Sequence, residues 1–199
     1  MKNHSNHIAI IILAAGSSSR LGRPKQLLEI NGKTLLQKAI ETALKISKNV
    51  IVVLGGNEKL IRPTISDFPI QIVLNENWEE GMSSSIRSGM ESFTWKNING
   101  TLIMLSDQPF VNVLLLEKLI TVFEEKKSLI VSSEYEGKLG VPAIFDSSLF
   151  EKLKKLKGQK GAKALIMNYA NQVARVAFEK GKIDIDTEED WENFNNFNK

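Results

Sequence analysis

Four groups of polar residues in this chain carry residue types that bind anions or hard cations. The first is Leu13-Ala14-Ala15-Gly16-Ser17-Ser18-Ser19-Arg20-Leu21-Gly22-Arg23-Pro24-Lys25. Small residues let the backbone approach a ligand, and turned N–H groups form an anion nest. Arg20, Arg23 and Lys25 can surround a polyphosphate. The loop is neither a Walker A motif, since Gly-Lys-Ser/Thr is missing, nor a Gly-x-Gly-x-x-Gly dinucleotide fingerprint. The second group is Asn75-x-x-Trp78-x-x-Gly81-Met82-x-x-Ser85-x-x-x-Gly89, where Gly81 precedes a helix whose free N–H groups can receive a hydroxyl or phosphate. The third, Ser106-Asp107-Gln108-Pro109, puts an acid at the end of a buried strand, where it can hold Mg²⁺. The fourth is Asp184-Ile185-Asp186-Thr187-Glu188-Glu189-Asp190. On a strand Asp184 and Asp186 point the same way, and two carboxylates on one face suit a hard cation. An acidic helix start suits the helix dipole and accounts for Glu188, Glu189 and Asp190, but not for those two aspartates.

Composition narrows the chemistry. The 199 residues contain no cysteine and two histidines, His4 and His7, both ahead of the first strand. That excludes disulfides, thiolate zinc sites and a cysteine nucleophile, and argues against a Ser-His-Asp triad. Any metal should be a hard cation on oxygen. Net charge is +3 (26 − 23), too mild to point to nucleic acid. It is uneven: Glu151 to Lys163 holds six lysines against one acid, and Asp184 to Glu192 holds six acids and no base. No apolar run reaches the roughly 20 residues of a membrane span. The start, Met1-Lys2-Asn3-His4, lacks a signal peptide's apolar core. The expectation is a cytoplasmic protein with no nucleic-acid or membrane partner.

These groups need a scaffold that brings them together. Ile8 to Leu13 reads as a strand buried on both faces. Further strands are expected at Val50–Leu54, Ile70–Leu74, Thr101–Leu105, Leu129–Ser133, Val141–Phe145, Val173–Phe178 and Ile183–Ile185. Helices are expected at Thr34–Ile46 with Thr34 as N-cap, in a short stretch before Pro63, and at Ser83–Phe93 and Asn112–Lys126. Others fall near Ser147–Leu156, Gly161–Ala170 and from Thr187. Alternating strands and helices predict an α/β fold, a mostly parallel sheet with helices on both faces. Its ligands should sit beyond the carboxyl ends of the strands. Trp78, Trp95 and Trp191 are expected in the core or an interface.

Leu13-Ala14-Ala15-Gly16-x-Ser18-x-Arg20-x-Gly22-x-x-Lys25 resembles the signature of MobA-like NTP transferases, and Pro24-Lys25-Gln26-Leu27-Leu28 is closest to their molybdenum cofactor cytidylyltransferase branch. The resemblance spans residues 8 to 192. It implies a three-layer α-β-α Rossmann-like fold of the nucleotide-diphospho-sugar transferase type, with a mixed, mostly parallel sheet. One domain would cover 1–199, with a nucleotide-binding half at about 8–110 and an acceptor-binding half at about 111–192. The implied reaction moves CMP from CTP to a phosphorylated acceptor such as molybdopterin, with release of pyrophosphate. Nucleotide binding falls to Leu13, Ala14, Ala15, Gly16, Ser17, Ser18, Arg20, Lys25, Gly81 and Ser85. Mg²⁺ falls to Asp107 with Asp184 or Asp186, the choice between the two remaining open. The catalytic set is Lys25, Arg20 and Asp107. Ala15 is what favours cytidine over the guanylyl branch.

On the acceptor side the resemblance assigns Gly140, Pro142 and Lys163. Here Val141, Gln159 and Lys163 stand where that branch has histidine, aspartate and arginine, and a lysine lacks the planar fork that grips an oxyanion bidentately. The acceptor is therefore less defined than the chemistry. The lysine-rich stretch can draw in an anionic acceptor or remain a solvated face. Alternatives are a sugar- or polyol-phosphate nucleotidyltransferase, and a non-catalytic molybdenum-cofactor carrier in transient contact with a molybdoenzyme.

Overall fold

The computed structural model describes residues 7–197. Its elements are β1 (Ile8–Ala14), β2 (Glu29–Ile30), β3 (Lys33–Thr34), α1 (Leu35–Leu44), β4 (Val50–Leu54), α2 (Glu58–Ile65), β5 (Gln71–Leu74) and α3 (Met82–Glu91). Then come β6 (Gly100–Leu105), α4 (Val113–Lys126), β7 (Ile130–Tyr135), β8 (Lys138–Asp146), α5 (Phe150–Leu153), α6 (Ala162–Asn168), β9 (Val173–Ala177) and α7 (Glu188–Phe197).

Seven strands form one sheet in the order β5-β4-β1-β6-β8-β7-β9. Only β8 runs antiparallel to its neighbours, β6 and β7. Every residue of β1 is buried, which explains its unbroken apolar sequence. Side chains alternate along a strand, so β1 feeds two cores. Ile8, Ile10 and Ile12 pack with Leu36 and Ile40 of α1, Ile61 and Ile65 of α2, and Leu119 and Phe123 of α4. Ala9, Ile11 and Leu13 pack with Ile86 and Met90 of α3, Leu153 of α5 and Ile166 of α6. Burying each such isoleucine contributes about 1.5–3 kcal/mol. The result is the expected three-layer arrangement.

Several expectations are corrected. The helix expected to end before Pro63 runs through it. Ile61 and Ile65, one turn apart, are fully buried, while Pro63 stands exposed; packing outweighs the lost N–H bond. The helix expected over 147–156 is a 3₁₀ turn followed by the short α5. Asp146 accepts from Ser148 N at 2.9 Å and opens that tight turn. Residues 183–185 form no strand. Ile185 is instead fully buried in a small separate core with Leu21, Leu28, Leu35 and Phe194. The β2–β3 hairpin was not expected, although its turn, Asn31-Gly32, has the two positive φ angles (57° and 75°) of a type I′ turn.

Candidate active site

The site begins where β1 and β6 end side by side. Leu13 and Leu105 are register partners, and Ser106 N donates to Leu13 O at 3.3 Å. The loop after β1 and the Ser106-Asp107 step therefore leave the sheet together. The third arrival is the segment before α7. Ile185 N donates to Asp107 O at 3.3 Å, and the Ile185 side chain anchors among Leu21, Leu28 and Leu35. That small core is what carries Asp184 and Asp186 to the glycine loop, although no strand aligns them.

The loop is built, not slack. Gln26, 1% exposed, donates to Ala14 O at 3.0 Å and Gly16 O at 3.1 Å. Asn57 Nδ2 donates to Ser17 O at 2.9 Å, and Lys25 N donates to Ser18 Oγ at 3.0 Å. Gly56 N donates to Ala15 O at 3.1 Å. At Gly55 an added Cβ would lie 2.6 Å from Ala15 O and 2.7 Å from Trp78 Cβ, so only glycine lets the β4 end back onto this loop. The sequence carries no local signal that Gly55, Gln26 and Asn57 support this loop.

A cavity of about 330 Å³ opens here. It is lined by residues 13–17, Lys25 and Gln26 from the first loop, and by Trp78, Gly81, Met82 and Ser85 from the start of α3. Glu79, Leu105, Ser106, Asp107 and Gln159 complete it. Trp78 thus lines the cavity, contrary to the expectation of a core or interface position. Trp95 does pack as expected, against Phe93 and Phe150, and Trp191 stacks on Phe194. Asn75, 2% exposed, donates to Ser84 Oγ at 2.8 Å and Ser85 Oγ at 3.0 Å and accepts from Asn77 N. It positions the α3 start rather than reaching into the cavity.

The charges meet at one edge. The Lys25 ammonium hydrogen-bonds Asp107 Oδ2 and Asp186 Oδ1, the latter at 2.8 Å. Arg20 donates to Asp186 Oδ2 at 2.7 Å. Arg23 lies outside this cluster, on Glu188 at 2.5 Å. Burial alone would lower the Lys25 pKa, but Asp107 and Asp186 outweigh it and raise it above the usual lysine value. Asp186 shows the complementary effect: burial opposes ionisation, yet Lys25 and Arg20 hold its carboxyl below the ordinary range. Asp184 is pushed up to about 6, first by burial of its carboxyl, then by the charges of Asp107 and Asp186. Tyr135 is raised by burial and by Asp184 and Asp107.

Three carboxylates thus face two cations, and Asp107 Oδ1 is buried with no hydrogen-bond partner. An oxygen-only donor set with an orphaned carboxylate oxygen fits a hard divalent cation. Among the described residues no group of three His, Cys, Asp or Glu side chains stands at metal-holding spacing, and Lys25 bonds both Asp107 and Asp186.

The acceptor-side residues behave differently. Gly140 and Pro142 are buried in β8. Their carbonyls accept from Ser132 Oγ and Ser133 Oγ, each at 2.7 Å, and a Cβ on Gly140 would lie 2.2 Å from the Tyr135 hydroxyl. Lys163 is exposed on α6 and does not line the cavity. The neighbouring Gln159, which replaces the aspartate, does line it. Lys154, Lys155 and Lys157 edge a separate cleft with Arg87 and Glu80. His7 pairs with Glu124 at 2.9 Å, away from the cavity, and His4 lies outside the described residues. No helix among the described residues is long and apolar enough to cross a membrane.

Comparison with known proteins bears on the family and the fold. Residues 10–173 match the MobA-like NTP transferase domain. The chain is 34% identical over 148 residues to "Nicotine blue oxidoreductase" of Paenarthrobacter nicotinovorans, covering 70% of this chain and 71% of the relative. Among solved structures it is similar to the Rv0371c homologue from Mycobacterium sp. strain JC1 (TM-score 0.83, 30% identity, 95% of each chain). It is also similar to Rv0371c of Mycobacterium tuberculosis H37Rv, solved as a complex with manganese (TM-score 0.78, 27% identity, 94% of this chain and 97% of that one).

Proposed function

Because the chain belongs to the MobA-like NTP transferase family, we propose that it moves CMP from CTP onto a phosphorylated acceptor, with molybdopterin as the favoured acceptor. The observation that carries this reading is the Lys25–Asp107–Asp186 cluster with Arg20 at the edge of the glycine-loop cavity. In this scheme an acceptor phosphate oxygen attacks the α-phosphorus in line. The new P–O bond forms as the bond to the α,β-bridging oxygen breaks, and pyrophosphate leaves with that electron pair. The acceptor phosphate is already an anion at neutral pH, so no general base is required, which suits a site without histidine. Alignment and charge neutralisation remain as the protein's task.

Lys25 and Arg20 would stabilise charge building on the departing pyrophosphate. The loop N–H groups of residues 14–17 would hold the phosphates, with Gly81 and Ser85 toward the ribose and base. Ala15 would limit the space for a purine. Mg²⁺ would be held by Asp107, through its unpartnered oxygen, with Asp186 or Asp184, and would supply charge neutralisation of the phosphates. The region of about 8–110 would serve the nucleotide and that of about 111–192 the acceptor, with Gly140 and Pro142 shaping its wall and Lys163 at its rim.

The test is pyrophosphate release with CTP, GTP, ATP and UTP, each with and without molybdopterin, in Mg²⁺ and in EDTA. CTP with molybdopterin and Mg²⁺ should lead. Release with GTP alone would move the chain to the guanylyl activity, and release with a sugar phosphate would move the acceptor. A second reading, a redox role, is favoured by the identity to the oxidoreductase-named relative. Oxidation of a nicotinamide cofactor on addition of a dye substrate, with no pyrophosphate release, would select it.

A further inference from the structure

Among the described residues that line the cavity, all but one lie at or before Asp107 in the chain. The exception is Gln159, from the loop between α5 and α6. That loop is fastened to α3 on both sides of Gln159. Arg87 of α3 donates through Nη1 to Leu156 O at 2.7 Å. Gly161 backs onto the first turn of α3, where an added Cβ would lie 2.7 Å from Met82 Sδ. Between these two points the Gln159 side chain lies on Gly81. A Cβ on Gly81 would be 2.2 Å from Gln159 Oε1 and 2.5 Å from its Cδ. The amide group itself, and not only its stem, therefore covers that glycine.

Packing does not use this amide. Gln26, which lines the same cavity, is buried and donates to Ala14 O and Gly16 O. Gln159 is exposed, and its amide hydrogen-bonds no other described residue. It presents a donor and an acceptor side by side, from a loop that is held. The surrounding wall says what it can meet. Lys25 is the one cation among the described lining residues. The wall of Trp78, Gly81, Met82, Ser85 and Gln159 holds none, and Glu79 beside it is an anion that turns phosphate away. A triphosphate drawn to Lys25 leaves this wall to the uncharged end of the nucleotide. The edge of a nucleobase carries adjacent donors and acceptors, which an amide can match with two hydrogen bonds.

We infer that Gln159 is a base-reading residue, its amide hydrogen-bonding the edge of the nucleotide's base above Gly81. The inference rests on the nucleotidyltransferase reading of the site. It adds that the base pocket is completed by a residue from the acceptor half of the chain. No protein hydrogen bond fixes which end of the amide faces the base, so the glutamine can turn to suit cytosine or guanine, and Ala15 is left to limit size.

The experiment is equilibrium binding of CTP, GTP and tripolyphosphate, each with Mg²⁺, to the full chain by calorimetry. It compares wild type, Gln159→Ala and Gln159→Glu, with melting temperature as the folding control. Gln159→Ala should bind CTP at least about fivefold more weakly, the effect of losing one or two hydrogen bonds, and should bind tripolyphosphate as wild type does. A carboxylate only accepts. It matches the N1–H and N2 amino donors of guanine and opposes the N3 acceptor of cytosine. Gln159→Glu should therefore shift the CTP-to-GTP affinity ratio toward GTP by at least about tenfold. Both nucleotides carry the same triphosphate, so the added charge cancels in that ratio. Unchanged CTP affinity in Gln159→Ala, an equal loss for tripolyphosphate, or an unchanged ratio in Gln159→Glu would each overturn the inference. Folded wild type that binds neither nucleotide would strike the nucleotidyltransferase reading and the inference with it, whereas nucleotide binding indifferent to residue 159 strikes the base contact alone.

Discussion

The loop after β1 and the β8–α6 region offer a contrast within one chain. In the first, the candidate residues are held from behind by buried side chains: Gln26 grips two loop carbonyls, Asn57 a third, and Gly55 leaves room for Ala15. Their charged ends converge on one cluster. In the second, Gly140 and Pro142 are consumed by packing and backbone hydrogen bonds, and Lys163 stands apart in solvent. A triphosphate has fixed geometry and rewards a rigid cradle. An acceptor that differs between relatives needs only a wall and a mouth. The difference predicts that changes in the first region affect every acceptor alike, while changes at Gly140, Pro142 and Lys163 alter acceptor choice at most.

The largest effect should come from Asp107→Ala. It removes the orphaned oxygen and half of the support of Lys25, and kcat/KM should fall by about 10²–10³ with any acceptor. Steady-state pyrophosphate release measures this, and turnover within tenfold of wild type would remove Asp107 from the catalytic set. Next is Gly55→Val, which drives side-chain atoms into Ala15 O and Trp78. Overpacking of this kind costs about 1–3 kcal/mol. Urea unfolding should show that loss, with a raised KM for the triphosphate and an unchanged KM for the acceptor.

Asp184 sharpens the comparison through pH. Its folded pKa, about 6, lies above the ordinary 3.8. The folded state therefore holds this proton more tightly than the unfolded chain does, and stability is lost as pH rises from about 4 to beyond 6. Asp184→Asn removes the penalty. In EDTA its melting temperature should match wild type near pH 4 and exceed it by pH 7. Parallel profiles would mean that neither burial nor the charges of Asp107 and Asp186 raise the Asp184 carboxyl. The smallest effect is expected at Lys163. Lys163→Ala should leave triphosphate kinetics unchanged and shift acceptor KM by less than about fivefold, the worth of an exposed charge. A large drop in kcat would show that the acceptor half is as tightly engaged as the nucleotide half.

What could be read in the sequence follows the same division. The layers were legible because β1 is unbroken and apolar, and because helical spacing marks Leu36–Ile40 and Leu116–Leu119–Phe123. Lys25 and Asp107 were legible because charged residues beyond buried strands have few structural reasons to be there, and the acidic pair because an acidic helix start does not account for Asp184 and Asp186, although the strand expected to align them is absent. The route by which Asp184 and Asp186 arrive was not: it depends on Ile185 finding Leu21, Leu28 and Leu35, a contact across 150 or more positions that no local period records. Gln26 and Gly55 escaped notice for a related reason. A buried amide and a close backbone approach declare themselves only once two loops are in place. Asn31-Gly32 did carry its own signal, a two-residue hairpin turn.

The most direct test is a crystal structure of the full chain with Mg²⁺ and a non-hydrolysable CTP analogue. The account predicts the triphosphate between Arg20 and Lys25, the cation on Asp107 with Asp186 or Asp184, and the base in the cavity between Ala15 and Ser85. A nucleotide bound away from Arg20, Lys25 and Asp107 would contradict it.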